Sequence, residues 1–327
     1  MKRACISLLI PVIFLAACGG GSSTVNNPAA PPPSTGFEIT PTNGLQVAGV
    51  AYGSVVSSGD MSGLVGNTGL TAGGSGGLAK PGINAKSGGV VQMVPLPPET
   101  HDCLADGTVT YTFDIVDPLV LAAFMLSIGD TFLVEYVACD DGFGEILDGA
   151  IDFVVDAFSG SILSTFDTTM TMNLTDFRST IGTDVTTSNG DATASLDTTV
   201  ALVVSASVSG VSMMTNSNIS SELLTNYSSA QTVDLNFDPA RYTMSSSGTL
   251  DSSQLDGIVD YSTPVMFEGL GTDYPNSGEL LVRGDSSSIR LVAVDNINVL
   301  IEIYSNADGT GTPDDTISTT WADLAAL

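Results

Sequence analysis

Histidine and tryptophan each occur once in this 327-residue chain, and lysine and arginine together only eight times against 36 acidic residues. The formal charge of −28 repels polyanions and anionic headgroups, which excludes nucleic-acid binding. His101 lies in the loop-like stretch Pro97-Pro98-Glu99-Thr100-His101-Asp102 and reads as a solvated side chain. Cysteine is scarce as well, with four in all, so zinc ligation is not expected. Aromatic residues are only 6%, too few for the girdles that flank the lipid-facing band of a transmembrane barrel. Charged residues are 13% and apolar ones 43%, which leaves ample material for a core.

The N-terminus carries the most specific pattern. Lys2 and Arg3 precede the apolar run Ile6–Leu15, which ends in Leu15-Ala16-Ala17-Cys18. Such a run is too short to span a bilayer, which takes about 20 apolar residues. The segment resembles the lipobox signal of bacterial lipoproteins. That resemblance implies removal of residues 1–17, acylation of Cys18 and attachment to a membrane through the acyl chains, each buried methylene adding about 0.8 kcal/mol. Gly19 stands where an aspartate would mark inner-membrane retention, so the expected location is the outer membrane, on a side the pattern does not specify.

Processing leaves six bases, Lys80, Lys86, Arg178, Arg241, Arg283 and Arg290, against all 36 acids, a formal charge of −30. Cys5 departs with the signal and Cys18 is acylated, which leaves Cys103 and Cys139. An oxidising compartment makes a disulfide between them the expectation. It would close a loop of about 36 residues and add roughly 4 kcal/mol in the chain-entropy description.

Residues 18–36, Gly/Ser-rich and then Pro-rich, read as the lipidated cysteine and a tether. Residues 37–92 hold an expected helix over Thr42–Ser57, capped by Asn43 with Gln46 completing a capping box, and then a Gly-rich loop from 58 to 92. Leu45, Ala48, Ala51, Tyr52, Val55 and Val56 share one face of that helix.

From 93 to 327 the period is two. Phe166, Thr168, Met170, Met172 and Leu174 alternate with Asp167, Thr169, Thr171 and Asn173. Similar alternation covers 109–115, a long stretch over 192–208, Val233-Leu235-Phe237, and short runs through 265–303. Turn chemistry stands at Ser188–Asp191, Arg283-Gly284-Asp285, Asp295–Asn298 and Ala307-Asp308-Gly309. The run Leu119–Leu126 suits a short helix. These signals predict a mainly β fold: a large, curved antiparallel meander, half-barrel-like, with the N-terminal helix packed on its apolar face and a sandwich as the alternative.

Two groups of segments resemble uncharacterised proteobacterial lipoproteins. One is the tail, with Gly278–Val282, Ser288–Leu291, Val299–Tyr304, Asp308-Gly309-Thr310 and Thr319–Leu324. The other is central, with Cys103, Gly107-Thr108-Val109, Gly129–Phe132, Cys139 and Asp148-Gly149. The resemblance spans about half of the processed chain. It implies a β-rich fold and the disulfide, and brings no activity with it.

Chemical candidates are few. Gly73-Gly74-Ser75-Gly76-Gly77 matches a nucleophile elbow in letters but lies in low-complexity sequence. Asp140, Asp141, Glu145 and Asp148 are candidate calcium ligands, as are Asn306, Asp308, Thr310, Thr312, Asp314 and Asp315, though neither set has EF-hand spacing. Solvated turn acids are the simpler account of both. Met170, Met172, Met213, Met214, Met244 and Met266 could line a site for a greasy ligand or simply fill a core. No catalytic residue and no cofactor is expected. The sequence is read as a non-enzymatic outer-membrane scaffold or interaction module with an unidentified protein or lipid partner. A carrier of a hydrophobic ligand on the concave face is the first alternative, and an envelope hydrolase the second.

Overall fold

The computed structural model describes residues 37–67, 94–95, 97–140, 145–218, 220–271 and 273–325. Helix α1 (Gly44–Asn67) comes first, followed by β1 (Val94–Pro95), β2 (Glu99–Asp102) and β3 (Asp106–Ile115). A short α2 (Pro118–Ala122) leads to β4 (Thr131–Asp140), β5 (Glu145–Gly160), β6 (Phe166–Ile181) and β7 (Asp184–Asp197). Then come β8 (Val203–Asn216), β9 (Ser221–Asp234), β10 (Arg241–Ser252) and β11 (Ile258–Leu270). The chain closes with β12 (Ser277–Arg283), β13 (Ser288–Ala293), β14 (Asn298–Tyr304), β15 (Asp315–Thr320) and α3 (Trp321–Leu324).

From β3 onward every strand pairs antiparallel with the next, in one open sheet, while β1 and β2 share the outer edge of β3. The expected curved meander is therefore the observed fold, and the sandwich is not formed. Alternation sets the two faces, as β6 shows: Phe166, Thr168, Met170, Met172 and Leu174 are buried, and Asp167, Thr171 and Thr175 are exposed. After Leu174 the next buried residue is Phe177, because one extra residue has been inserted.

That insertion belongs to a line of irregularities crossing the sheet. Register shifts lie between Asp106 and Thr108, Tyr136 and Cys139, Asp148 and Ala150, Leu174 and Phe177, Asp191 and Thr193, and Ser247 and Thr249. Along this line Ala138, Asp176 and Asn226 adopt φ of 45°, 48° and 48°. Left-handed backbone costs a non-glycine residue about 1–2 kcal/mol. Gly149 (φ +101°) meets the need without that cost, and a Cβ there would lie 2.5 Å from the Asp176 carbonyl oxygen. Each bulge bends its strand, and a row of bulges bends the sheet along a crease.

The crease corrects one expectation. Ser188–Asp191 is not a hairpin turn but the middle of β7, where Gly190 stands opposite Leu174 and Met213. An Asn-Gly pair supplies positive φ to a bulge as readily as to a turn, so the composition does not separate them. Leu235 and Phe237 also depart from the reading. Strand β9 stops at Asp234, whose carboxylate accepts from the Asn236 amide at 2.9 Å, and both apolar residues stand exposed in the following loop.

Helix α1 lies on the apolar face, with Val47, Ala48, Ala51, Tyr52 and Val55 buried and Leu45 and Val56 at the margin. It packs against β7–β10, β12–β14 and α3. The capping box is absent. Asn43 Oδ1 accepts from the Thr40 amide at 2.8 Å, which shapes the approach, and Gln46 Nε2 donates to the Gln254 carbonyl at 2.7 Å. The helix also runs ten residues beyond Ser57, where a loop was expected, to Asn67. The rest of the expected loop, 68–92, lies outside the described residues. Tyr52 lies tilted against Trp321 at 4.7 Å and meets the Phe267 ring edge-on at 5.8 Å, so α3 closes the core beside α1.

Candidate functional site

The disulfide is present: Cys103 and Cys139 are bonded, with Cα atoms 5.4 Å apart. It joins the β2–β3 turn to the last turn of the β4 ladder, where the Ala105 amide also donates to the Asp140 carbonyl at 3.1 Å. Glu145 begins β5 and accepts from the Ser179 hydroxyl, while Asp148 accepts from the Ala138 amide at the crease. Asp141 lies outside the described residues, and Cys18 and Gly73–Gly77 do as well. Among the described residues no three His, Cys, Asp or Glu side chains are grouped so as to hold a cation.

The second acidic set is used in building its own loop. Asn306 Oδ1 accepts from the Gly309 amide at 2.8 Å, and Asp308 Oδ1 accepts from the Thr310 hydroxyl at 2.9 Å. Asp314 Oδ2 accepts from the Ser305 amide at 2.6 Å, and hydrogen bonding from the Ser305 side chain together with that amide holds its carboxyl below the usual carboxylate range. Arg283-Gly284-Asp285 is the expected hairpin turn, and its Asp285 amide donates to the Phe37 carbonyl at 2.8 Å, pinning the entry of the folded chain. His101 stands exposed on edge strand β2, 3.7 Å from a Glu99 oxygen and beside the Tyr111 ring.

Met170, Met172 and Met213 are fully buried and Met244 nearly so, all on the helix-bearing face. Met214 and Met266 face outward. The same inner face carries an aromatic ladder on β3–β5, with Phe132 and Phe153 stacked at 4.9 Å and Phe113 next in line at 6.1 Å. Tyr111, Phe113 and Tyr136 of this region are only partly buried.

One polar group within the apolar interior escapes sequence reasoning. Ser54 Oγ of α1 donates to Glu222 at 3.2 Å, and Ser58 Oγ and Ser246 Oγ are hydrogen-bonded at 3.2 Å. Ser246 in turn donates to the Ser228 carbonyl at 3.0 Å. Burial raises the Glu222 carboxyl above its ordinary range, with the Ser54 hydrogen bond opposing the shift. Nearby Tyr261 is pushed up to about 12 by burial. The group seats the helix on β9 and β10. Its members are far apart in sequence, and serines in a glycine-rich helix give no signal of burial.

No described helix is long and apolar enough to cross a membrane. Comparisons with known protein families, curated proteins and solved structures find no match for this chain.

Proposed function

We propose that this chain is a lipid-anchored outer-membrane lipoprotein of an uncharacterised proteobacterial family, serving as a non-enzymatic β scaffold in the cell envelope. The observation that carries the reading is that the apolar face over β7–β10 and β12–β14 is filled by the chain's own α1, whose Val47, Ala48, Ala51 and Val55 are buried. A body whose groove is occupied by its own helix has its outer surface to offer to partners. The Leu15–Cys18 pattern supports the anchor, and the Cys103–Cys139 bond fits an oxidising compartment.

Fractionation and acyl labelling of the wild type and of Cys18→Ala test this reading. The wild type should carry acyl chains and sediment with outer membranes, and the variant should carry none. Absence of label on the wild type would overturn the lipoprotein assignment.

A second reading, a carrier of a hydrophobic ligand, draws on Tyr111, Phe113 and Tyr136. These lie on the part of the inner face away from the strands that α1 mainly contacts. Native mass spectrometry with lipid extraction separates the two readings: a stoichiometric apolar adduct favours the carrier, and an unliganded mass the scaffold.

A further inference from the structure

A meander places alternate turns at opposite ends of its sheet. The connections between β3 and β4, β5 and β6, β7 and β8, β9 and β10, β11 and β12, and β13 and β14 therefore share one end. Each presents an apolar side chain to solvent: Ile128 (71% exposed), Leu163 (57%), Val200 (60%), Phe237 (51%), Tyr274 (40%) and Ile297 (60%). The turns at the other end are built mostly from Gly, Ser, Thr, Asn and Asp, with Leu104 (75%) and Ile181 (61%) the most exposed apolar side chains there among the described residues.

These six connections are joined side to side. The Ile162 amide donates to the Phe124 carbonyl at 2.9 Å, Thr198 to Phe166 at 2.8 Å, Leu235 to Leu202 at 2.7 Å and Gly271 to Ala240 at 2.7 Å. Asn296 Nδ2 reaches Asp273 at 3.3 Å. The result is one continuous rim rather than six independent loops.

Charge and the wall beneath the rim narrow what can cover it. Carboxylates of Asp117, Asp197, Asp234 and Asp295 stand between the apolar tips, each accepting from an amide of its own loop. Arg241, at the start of β10, is paired with Glu268 at 2.6 Å. An anionic surface is repelled by such a rim. Below it, the outer row Thr171, Thr193, Ser209, Ser228 and Ser247 runs across five paired strands without an apolar side chain.

We infer that the rim docks on a zwitterionic bilayer by inserting its loop tips. A bilayer interface accepts single apolar side chains at one depth without shape complementarity, whereas a protein surface would have to match six separated tips and the acids between them. The Ser/Thr wall stops insertion at the headgroups, so the contact is peripheral. The Phe37 entry is pinned to the β12–β13 turn at the opposite end, so the first described residue lies away from the rim. The inference does not depend on acylation of Cys18.

The test uses the chain from Gly19, exported by a cleavable signal without a lipobox so that the disulfide forms, and flotation with phosphatidylcholine vesicles. The parent should float with them, undiminished by high salt, and float less when phosphatidylglycerol is added. The charge-neutral variant Ile128→Asn/Val200→Asn/Phe237→Asn/Ile297→Asn should partition at least about tenfold less, with an unchanged far-UV spectrum. Failure of the parent to float, or equal flotation of the variant, would overturn the inference. Should the fourfold variant misfold, an environment-sensitive dye on Val200→Cys should blue-shift on vesicles while one on Asn218→Cys does not. Equal responses from both sites would count against the rim.

Discussion

Ser54 of α1 donates a hydrogen bond to Glu222 of β9 at 3.2 Å, which ties the helix to the sheet through a carboxylate in a largely apolar setting. Burial raises that carboxyl's pKa on folding, so the group favours the folded state in acid and loses that advantage as pH rises through its folded value. Glu222→Gln keeps an acceptor for Ser54 and removes the charge. Thermal unfolding should show the variant more stable than the parent at neutral pH, with the gap closing below the ordinary carboxylate range. A gap independent of pH would refute the assignment.

The Cys103–Cys139 bond closes a 36-residue separation. Unreduced protein from the periplasm should show no free thiol at either position. Denaturant unfolding of Cys103→Ala/Cys139→Ala should give a loss of about 2–5 kcal/mol.

Two glycines should respond in opposite directions. At Gly149 a Cβ would collide with the Asp176 carbonyl and the φ of +101° is left-handed, so Gly149→Ala should cost more than about 1 kcal/mol. Gly53 is exposed on α1 with nothing within 4 Å of its would-be Cβ, so Gly53→Ala should gain about 0.5–1 kcal/mol. Urea midpoints of the two variants against the parent decide both.

Trp321 is fully buried between Tyr52 and Tyr274, with ring centroids at 4.7 and 6.0 Å, and its Nε1 donates to the Asp295 carbonyl at 3.0 Å. Trp321→Ala should cost about 3–5 kcal/mol. It should also uncouple α3 from α1, read as faster amide exchange in both helices.

The strands were legible because side chains on one wetted and one buried face must alternate, and Phe166 to Leu174 does so without interruption. The crease was hidden for a related reason. An inserted residue such as Asp176 looks like a lapse in alternation, and the Asn189-Gly190 pair that serves a bulge reads as a turn. The continuation of α1 past Ser57 was missed at its first step because propensity is local, whereas the contact of Ser58 with Ser246 joins residues 188 apart. The disulfide needed only elimination among four cysteines. The apolar rim was within reach of the sequence: once a meander is assumed, turns of one parity share an end, and their apolar residues fall together.

Phe37 sits at one end of the strands and Ile128, Val200 and Ile297 at the other, and that separation sets a length. The strands between Phe37 and Ile297, β12–β14, are six or seven residues long, about 20 Å at roughly 3.3 Å per residue, whereas β5 and β6 are 16 residues long, about 50 Å. The rise of each apolar tip above the Phe37 end therefore follows the strand beneath it, short at Ile297 and long at Leu163. Under the docking inferred above, the hold on a bilayer is graded along the rim by the number of β residues under each tip.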